Sequence, residues 1–149
     1  AMPATAMQGF DSKSVGAMAP AAFAGMGADQ MKAMPPTAMA GIGAEQLNQL
    51  PPATFKQMTP DQVKALPSAA FAGMTSSQLG QLPATSVKVM EKKDISLLSP
   101  EAVAGLQLSQ AKSWSTAQLG ALKPEAAAAL PTPMFNGLSA SQKAAITKV

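Results

Sequence analysis

Four residue types are missing from this sequence of 149 residues: cysteine, histidine, tyrosine and arginine. The lack of cysteine excludes a disulfide framework, a thiolate metal site and a thiol nucleophile. The lack of histidine removes the commonest general base and zinc ligand. Charged residues are also scarce, at 13% of the chain, where about 25% is usual. The serines and threonines have no histidine to activate them, and no glycine-rich phosphate-binding motif is present. We therefore expect a protein that is not an enzyme, with no catalytic, cofactor-binding or metal-ligating residues.

Long hydrophobic runs are missing as well. The longest uncharged stretch, residues 65–87, contains two prolines, four serines, two threonines and two glutamines, so we expect no membrane span. The net charge is only +3. A nucleic-acid-binding face would need arginine and exposed aromatic side chains, so we expect the lysines to lie on a solvated surface.

What the sequence does contain is a repeat of eight residues, here called the octad. Counting from Pro3, eighteen octads follow one another through Ile146 without insertion or deletion. All eighteen residues at position 8 are large and apolar, and position 5 is apolar everywhere except at Lys143. Outside alanine, 33 of the 39 apolar residues occupy these two positions. The repeat therefore predicts a regular core built from two side chains per octad.

The remaining positions indicate one short helix in each octad. All 13 prolines fall at positions 1 to 3, where the first helical turn has no use for their missing N–H. All 8 acidic residues fall at positions 1 to 4, near the positive end of the helix dipole, and five of the 11 lysines fall at position 6, near its negative end. All 11 glycines fall at positions 6, 7 or 1, where we expect unusual backbone dihedrals that end the helix.

A second period, of 16 residues, overlies the octad. One octad type begins with proline and carries the phenylalanines, whereas the other carries glutamine at position 4. These glutamines are Gln30, Gln46, Gln62, Gln78, Gln110 and Gln142. The segments 59–62 and 139–142 have the Ser/Thr-x-x-Gln spacing of a capping box, in which the glutamine satisfies the helix N-terminus. The alternative is a ladder of amides that one face presents to a ligand.

These observations predict an all-α fold: an elongated right- or left-handed solenoid of one- to two-turn helices, one per octad and paired in 16-residue units. Helices so short are unstable alone and persist only by stacking on their neighbours. With ~8–10 Å per unit, the rod would be roughly 70–90 Å long. Some of the helices would be 3₁₀. A β-solenoid would need alternating apolar residues, and disorder would not keep the apolar register.

The domain organisation follows from the same frame. We expect a single repeat domain over residues 3–149 and interpret Ala1 and Met2, which precede the first octad, as vector-derived. The sequence shows neither a leader nor a clear stop, which favours a fragment of a longer protein.

One segment, residues 87–114, departs from the repeat. It contains extra large apolar residues, the densest charge cluster and the single tryptophan. Our hypothesis is that it exposes a patch for a protein partner; the alternative is a locally wider core or a bend. The candidate partner patch consists of Val89, Leu97, Leu108, Lys92, Lys93 and Trp114.

The segments 58–66 (MTPDQVKAL) and 98–106 (LSPEAVAGL) resemble the short-helix repeats of large surface proteins. They are also similar to the superhelical repeats of the mesothelin and stereocilin type, whose members are adhesive proteins of the cell surface or extracellular matrix. The resemblance implies an extracellular or cell-surface location. This sequence lacks the glycosylation sequons and cysteines of that family, and no functional residue carries over.

The leading functional hypothesis is therefore a structural or adhesive module of a larger surface or secreted protein, acting as spacer and protein-interaction surface. Its partners would be other repeats of the same chain or a surface or matrix protein. The alternative is a binder of a repetitive ligand, such as a polysaccharide, a mineral or ice. A nucleic-acid-binding helical repeat is the third hypothesis.

Overall fold

The computed structural model describes residues 3–147, so the predicted vector residues Ala1 and Met2 lie outside it. Regular structure within the described range is helical, without a strand, which confirms the all-α prediction and excludes the β alternative for this range. In chain order the elements are the 3₁₀ helix η1 (Ala4–Gly9), α1 (Ser12–Gly16), α2 (Pro20–Phe23), α3 (Ala28–Ala33), α4 (Pro36–Met39), α5 (Ala44–Gln49), α6 (Pro52–Phe55), α7 (Pro60–Ala65), the 3₁₀ helix η2 (Ser68–Gly73), α8 (Ser76–Gln81), α9 (Ala84–Val87), α10 (Lys92–Ser96), α11 (Pro100–Val103), α12 (Leu108–Ser113), α13 (Thr116–Leu119), α14 (Pro124–Ala128), α15 (Thr132–Asn136) and α16 (Ala140–Thr147).

Each octad forms one helix of four to eight residues. Position 1 provides the N-cap in extended conformation, as at Thr59 with φ −82° and ψ 160°. Position 8 is extended again in most octads, as at Leu66 with φ −62° and ψ 133°, because the proline that follows excludes helical dihedrals there. The octad boundaries are therefore the helix boundaries, as the sequence predicts.

Positions 5 and 8 form the core. Position 8 is buried from Met26 through Ile146, and position 5 is buried from Met7 through Leu119. Position 4 is a third inward-facing position, which the sequence analysis did not predict, and it is buried or half-buried from Ala38 onward. The third position is small or polar, so apolar periodicity could not show it.

Each helix packs on the helix three places further along the chain. This holds for every strongly contacting pair among the described elements; for example, α5 packs on α2, and η2 packs on α5. Hydrogen bonds between stacked segments join residues 25 to 31 positions apart, which is more than three octads and fewer than four. The packing thus departs from the predicted 16-residue pairing. The alternation of proline and glutamine octads marks two kinds of helix, but it does not set how far the chain bends between one helix and the next.

Glycines at position 7 allow the stacked backbones to approach each other closely. A Cβ added to Gly73 would lie 2.1 Å from the carbonyl oxygen of Ala44, and one added to Gly105 would lie 2.1 Å from that of Ser76. All the glycines lie in the described range and none has a positive φ, so the predicted unusual dihedrals are wrong. At these positions glycine is needed because a side chain would collide with the neighbouring helix.

The accessible surface of the molecule is 6961 Å². A compact monomer of 15.1 kDa exposes about 7,000 Å². The protein therefore buries as much surface as a compact domain of its mass, which argues against a long thin rod.

Candidate functional surface

Buried glutamines join the stacked helices. Gln62 is 2% exposed. Its Oε1 accepts a hydrogen bond from the backbone N–H of Thr59 at 3.0 Å, which confirms the predicted capping box. Its Nε2 donates to the carbonyl oxygens of Met31 at 2.7 Å and Met34 at 2.9 Å. One amide thus caps its own helix and also satisfies two carbonyls at the end of the helix four octads earlier, where orphan acceptors are expected.

The same bonding recurs along the chain. Backbone carbonyls 28 to 31 residues earlier accept hydrogen bonds from Gln46, Gln78, Gln110, Gln118 and Gln142. Gln46, Gln78 and Gln110 are buried like Gln62. The buried amides are therefore engaged inside the molecule, and the alternative of an amide ladder presented to a ligand is wrong for them. Sequence spacing could reveal the cap, but not the partner one layer away.

Asp94 stands where the other octad type has glutamine, and its bonding changes accordingly. A carboxylate cannot donate to carbonyls. Asp94 instead accepts from the backbone N–H of Glu91 at 2.9 Å and from the Ser68 hydroxyl at 2.6 Å. Ser68 thus supplies the proton that the glutamine amide supplies elsewhere. Within residues 3–147, every buried side-chain nitrogen or oxygen has a hydrogen-bond partner.

The apolar members of the candidate partner patch lie on different elements. Val89 follows α9, Leu97 follows α10, and Leu108 begins α12; all three are half-buried. Val89 and Leu108 pack against the core, and the Leu108 side chain lies beneath Gly137, where an added Cβ would be 2.7 Å away. The extra apolar residues therefore widen the core locally while leaving part of each side chain exposed.

Trp114 is not a surface residue. Its side chain is 2% exposed, and its indole N–H donates to the carbonyl oxygen of Val87 at 2.9 Å. In the same octad, position 5 is the small Ala111, which is fully buried. The large ring at position 8 therefore fills the volume that a small residue at position 5 leaves open, and tryptophan contributes no exposed surface to the patch.

Lys92 and Lys93 are exposed and lie at the start of α10. Lysines in the first helical turn are unfavourable for the helix dipole, so helix stability does not explain their position. With the half-exposed Val89 a few residues earlier, they form the accessible part of the patch, which we call the α9–α10 corner (Val89, Lys92 and Lys93).

Shallow grooves flank the close glycine contacts. One is lined by Ala44, Glu45, Asn48, Gln49 and Gly73, together with Pro20. Another is lined by the residues 32 positions later, Ser76, Ser77, Gly80, Gln81 and Gly105, together with Ala104 and Gln107. The grooves thus recur in position but differ in chemistry, since a carboxylate and an amide in the first are replaced by a hydroxyl and a glycine in the second.

No protein-family model matches this sequence, and no curated protein is similar to it. Within residues 3–147, acidic side chains do not gather into a group that could hold a metal ion. The described helices are all too short or too polar to cross a lipid bilayer.

Proposed function

We propose that the protein is a non-enzymatic structural module of a larger surface or secreted protein, acting as spacer and as protein-interaction surface. The proposal assigns the buried positions to holding a repeated shape and the exposed positions to contacts with a partner.

The repeated shape would be a solenoid, with a turn of between three and four octads. The regular packing of each helix on the third one along supports this arrangement. With about five turns and ~8–10 Å per turn, the eighteen octads would extend over roughly 40–50 Å. The spacer would thus be shorter and thicker than the rod expected from 16-residue units.

The observation that carries the proposal is the use of the buried polar side chains. Glutamines such as Gln62 connect stacked helices by bonds to backbone carbonyls, and backbone acceptors do not depend on the neighbouring side chains. Such bonds maintain one geometry while the exposed positions vary freely, which suits a spacer whose outer surface is adapted to partners.

Duplication of one segment tests the spacer part. Residues 43–74 would be inserted a second time after Met74, which keeps the 32-residue spacing of the close-approach glycines. We expect small-angle X-ray scattering to show a maximum dimension about 10 Å larger with an unchanged cross-section, because one more turn is added. A chain with a scrambled copy of the same 32 residues is the control. A thicker particle of unchanged length would contradict the solenoid.

The adhesive part is tested at the α9–α10 corner. Beads coated with the protein would be allowed to settle on a cell monolayer, and the number that resists washing would be counted. We expect the triple variant V89S/K92E/K93E to lose most of the adhesion. The variant K56E/K64E, at two exposed lysines elsewhere, should retain it. Wild-type beads that adhere no better than albumin-coated beads would contradict an adhesive role.

A repetitive ligand is less well supported. A polysaccharide or crystal surface would need the same chemistry at each repeat, and the two corresponding grooves differ at two of their lining positions. We therefore favour partners that contact one part of the surface.

A further inference from the structure

The two ends of the molecule differ from its interior at two repeat positions. Position 4 is exposed only in the first four octads and is buried or half-buried in all later described ones. Because the glutamine bonds place position 4 against the helix four octads earlier, the first four octads have no helix to cover it. We call this surface the first face; its members are Ala6, Ser14, Ala22 and Gln30.

The opposite change occurs at position 5. It is buried in the first fifteen octads and only half-buried in the last three. Each helix packs on the third one along, so position 5 is covered by the helix three octads later, and the last three octads have no such helix. We call this surface the last face; its members are Ala127, Phe135 and Lys143.

The first face and the last face are therefore the two halves of the interface that joins each internal helix to its stacked neighbour. We propose that they bind each other between molecules, so that a second copy of this chain places its first face on the last face of the first copy. The proposal rests on the solenoid packing proposed above, and it names the partner as the chain itself.

The chemistry of the two faces agrees with this pairing. Alanine at position 4, as in Ala22, is what Ala38, Ala70 and Ala102 present in the buried interior. On the last face, Phe135 offers an aromatic side chain that is buried at position 5 in earlier octads, such as Phe71. The Lys143 ammonium lies 5.9 Å from the centre of the Phe135 ring, and its flexible stem lets the charge move to the rim.

Docking of this kind is heterologous, because two different surfaces meet. Each added copy exposes a new last face, so the assembly is an open chain of molecules and not a closed dimer. A single end face is small compared with a stable interface, so the association is weak and appears only at high protein concentration.

Sedimentation equilibrium of the 149-residue protein between about 10 µM and 1 mM tests the proposal. We expect the weight-average mass to rise continuously, reaching about twice the monomer mass when the concentration equals the dissociation constant, here in the range of about 0.1–1 mM that a small interface gives.

Two blocked variants define the geometry. A22E places a carboxylate on the first face, and A127E places one on the last face without removing a large side chain. Each variant should remain monomeric alone, whereas an equimolar mixture should form dimers and nothing larger, because only one intact pair of faces remains. F135E provides a second block of the last face. A53E makes the same Ala→Glu change at an exposed position on the flank and should associate like the wild type.

Several outcomes would overturn the proposal. They are a wild-type protein that stays monomeric up to about 1 mM, dimers of A22E alone, which would mean that two last faces pair, and equal loss of association in A53E. If the duplicated chain lengthens as expected while the wild type stays monomeric, only the end-to-end docking is wrong. If the duplicated chain does not lengthen, the solenoid packing fails first.

Discussion

At the scale of single residues, two types carry the architecture through opposite properties. Glutamine at position 4 is chosen for its amide, which accepts at one atom and donates twice at the other, as Gln62 does. Glycine at position 7 is chosen for its missing side chain, as at Gly73. Both requirements arise from contacts with a segment about 30 residues away, so each predicts a large effect from a small substitution.

The glutamine requirement predicts that Q62E destabilises the protein strongly. A buried carboxylate would face the carbonyl oxygens of Met31 and Met34 without a proton to donate. We expect the free energy of unfolding at pH 7, measured in urea, to fall by about 3 kcal/mol or more. The deficit should shrink as the pH falls towards about 4, because a protonated acid regains one donor. The exposed Q57E is the control, with a change below about 0.5 kcal/mol; equal effects in both variants would contradict the role of the amide.

The glycine requirement predicts different costs at two glycines with the same repeat position. In G73A the new Cβ would lie 2.1 Å from the Ala44 carbonyl oxygen, and we expect a loss of about 3 kcal/mol from the free energy of unfolding. In G25A the nearest atom is 4.0 Å away, so the change should be neutral or stabilising by up to about 1 kcal/mol. Thermal and urea unfolding measure both. A similar loss in G25A would mean that backbone conformation, and not space, selects glycine.

At the scale of the helix, the N-cap is what the local sequence contributes. Helices of four to eight residues are far below the about 12–15 residues that are marginally stable alone. Capping residues at position 1, proline in the first turn and the extended residue at position 8 fix where each helix starts and stops. Stability comes from stacking, so a weakened cap should loosen one helix and leave the others in place.

Asp11, the N-cap of α1, makes this testable through pH. Its Oδ1 accepts from the backbone N–H and from the hydroxyl of Ser14, both at 2.7 Å. These bonds, the backbone one first, hold the pKa of Asp11 below its ordinary value. The cap therefore contributes fully above the ordinary pKa of an aspartate and is lost as the pH falls through the lowered value.

We expect an NMR titration of the Asp11 carboxyl carbon to give this lowered pKa, and S14A to move it part of the way back. S12A, at an exposed neighbour without a bond to the carboxylate, is the control. The α1 amides should exchange faster with solvent as the pH falls through the Asp11 titration, after correction for intrinsic exchange. An unchanged pKa in S14A would contradict a contribution from the hydroxyl.

At the scale of the whole molecule, each helix depends on neighbours before and after it in the stack. Helices near the middle have both, whereas those at either end have one, as the exposure of Ala22 and Phe135 indicates. Stability should therefore decrease from the centre towards both ends, as in other arrays in which units contact only their neighbours.

Native-state hydrogen exchange measures this gradient. The amides of Val63 and Leu79, in α7 and α8, should exchange at least about tenfold more slowly than those of Val15 and Phe135, in α1 and α15, after correction for intrinsic rates. All four amides donate within their helical segments, so the comparison is between like bonds. Equal protection at all four would mean that the molecule opens in a single all-or-none step.

Much of the local structure was predictable because its causes lie within one octad. Proline, the capping residues and the two large apolar positions act over three or four residues, and the helices begin and end where they indicate. Trp114 shows the limit: its size suggested a surface patch, but Ala111 three residues earlier leaves the space that the ring fills.

The sequence by itself determined that the chain is all-helical, where each helix starts and stops, and which two side chains per octad enter the core. Only the tertiary structure decided that each helix stacks on the third one along, that position 4 faces inward, and that glycine and glutamine serve the neighbouring helix. The physical reason is distance. Helix formation is settled within a few residues, whereas stacking depends on the angle between successive helices, and this angle is fixed by contacts between residues 25 to 31 positions apart.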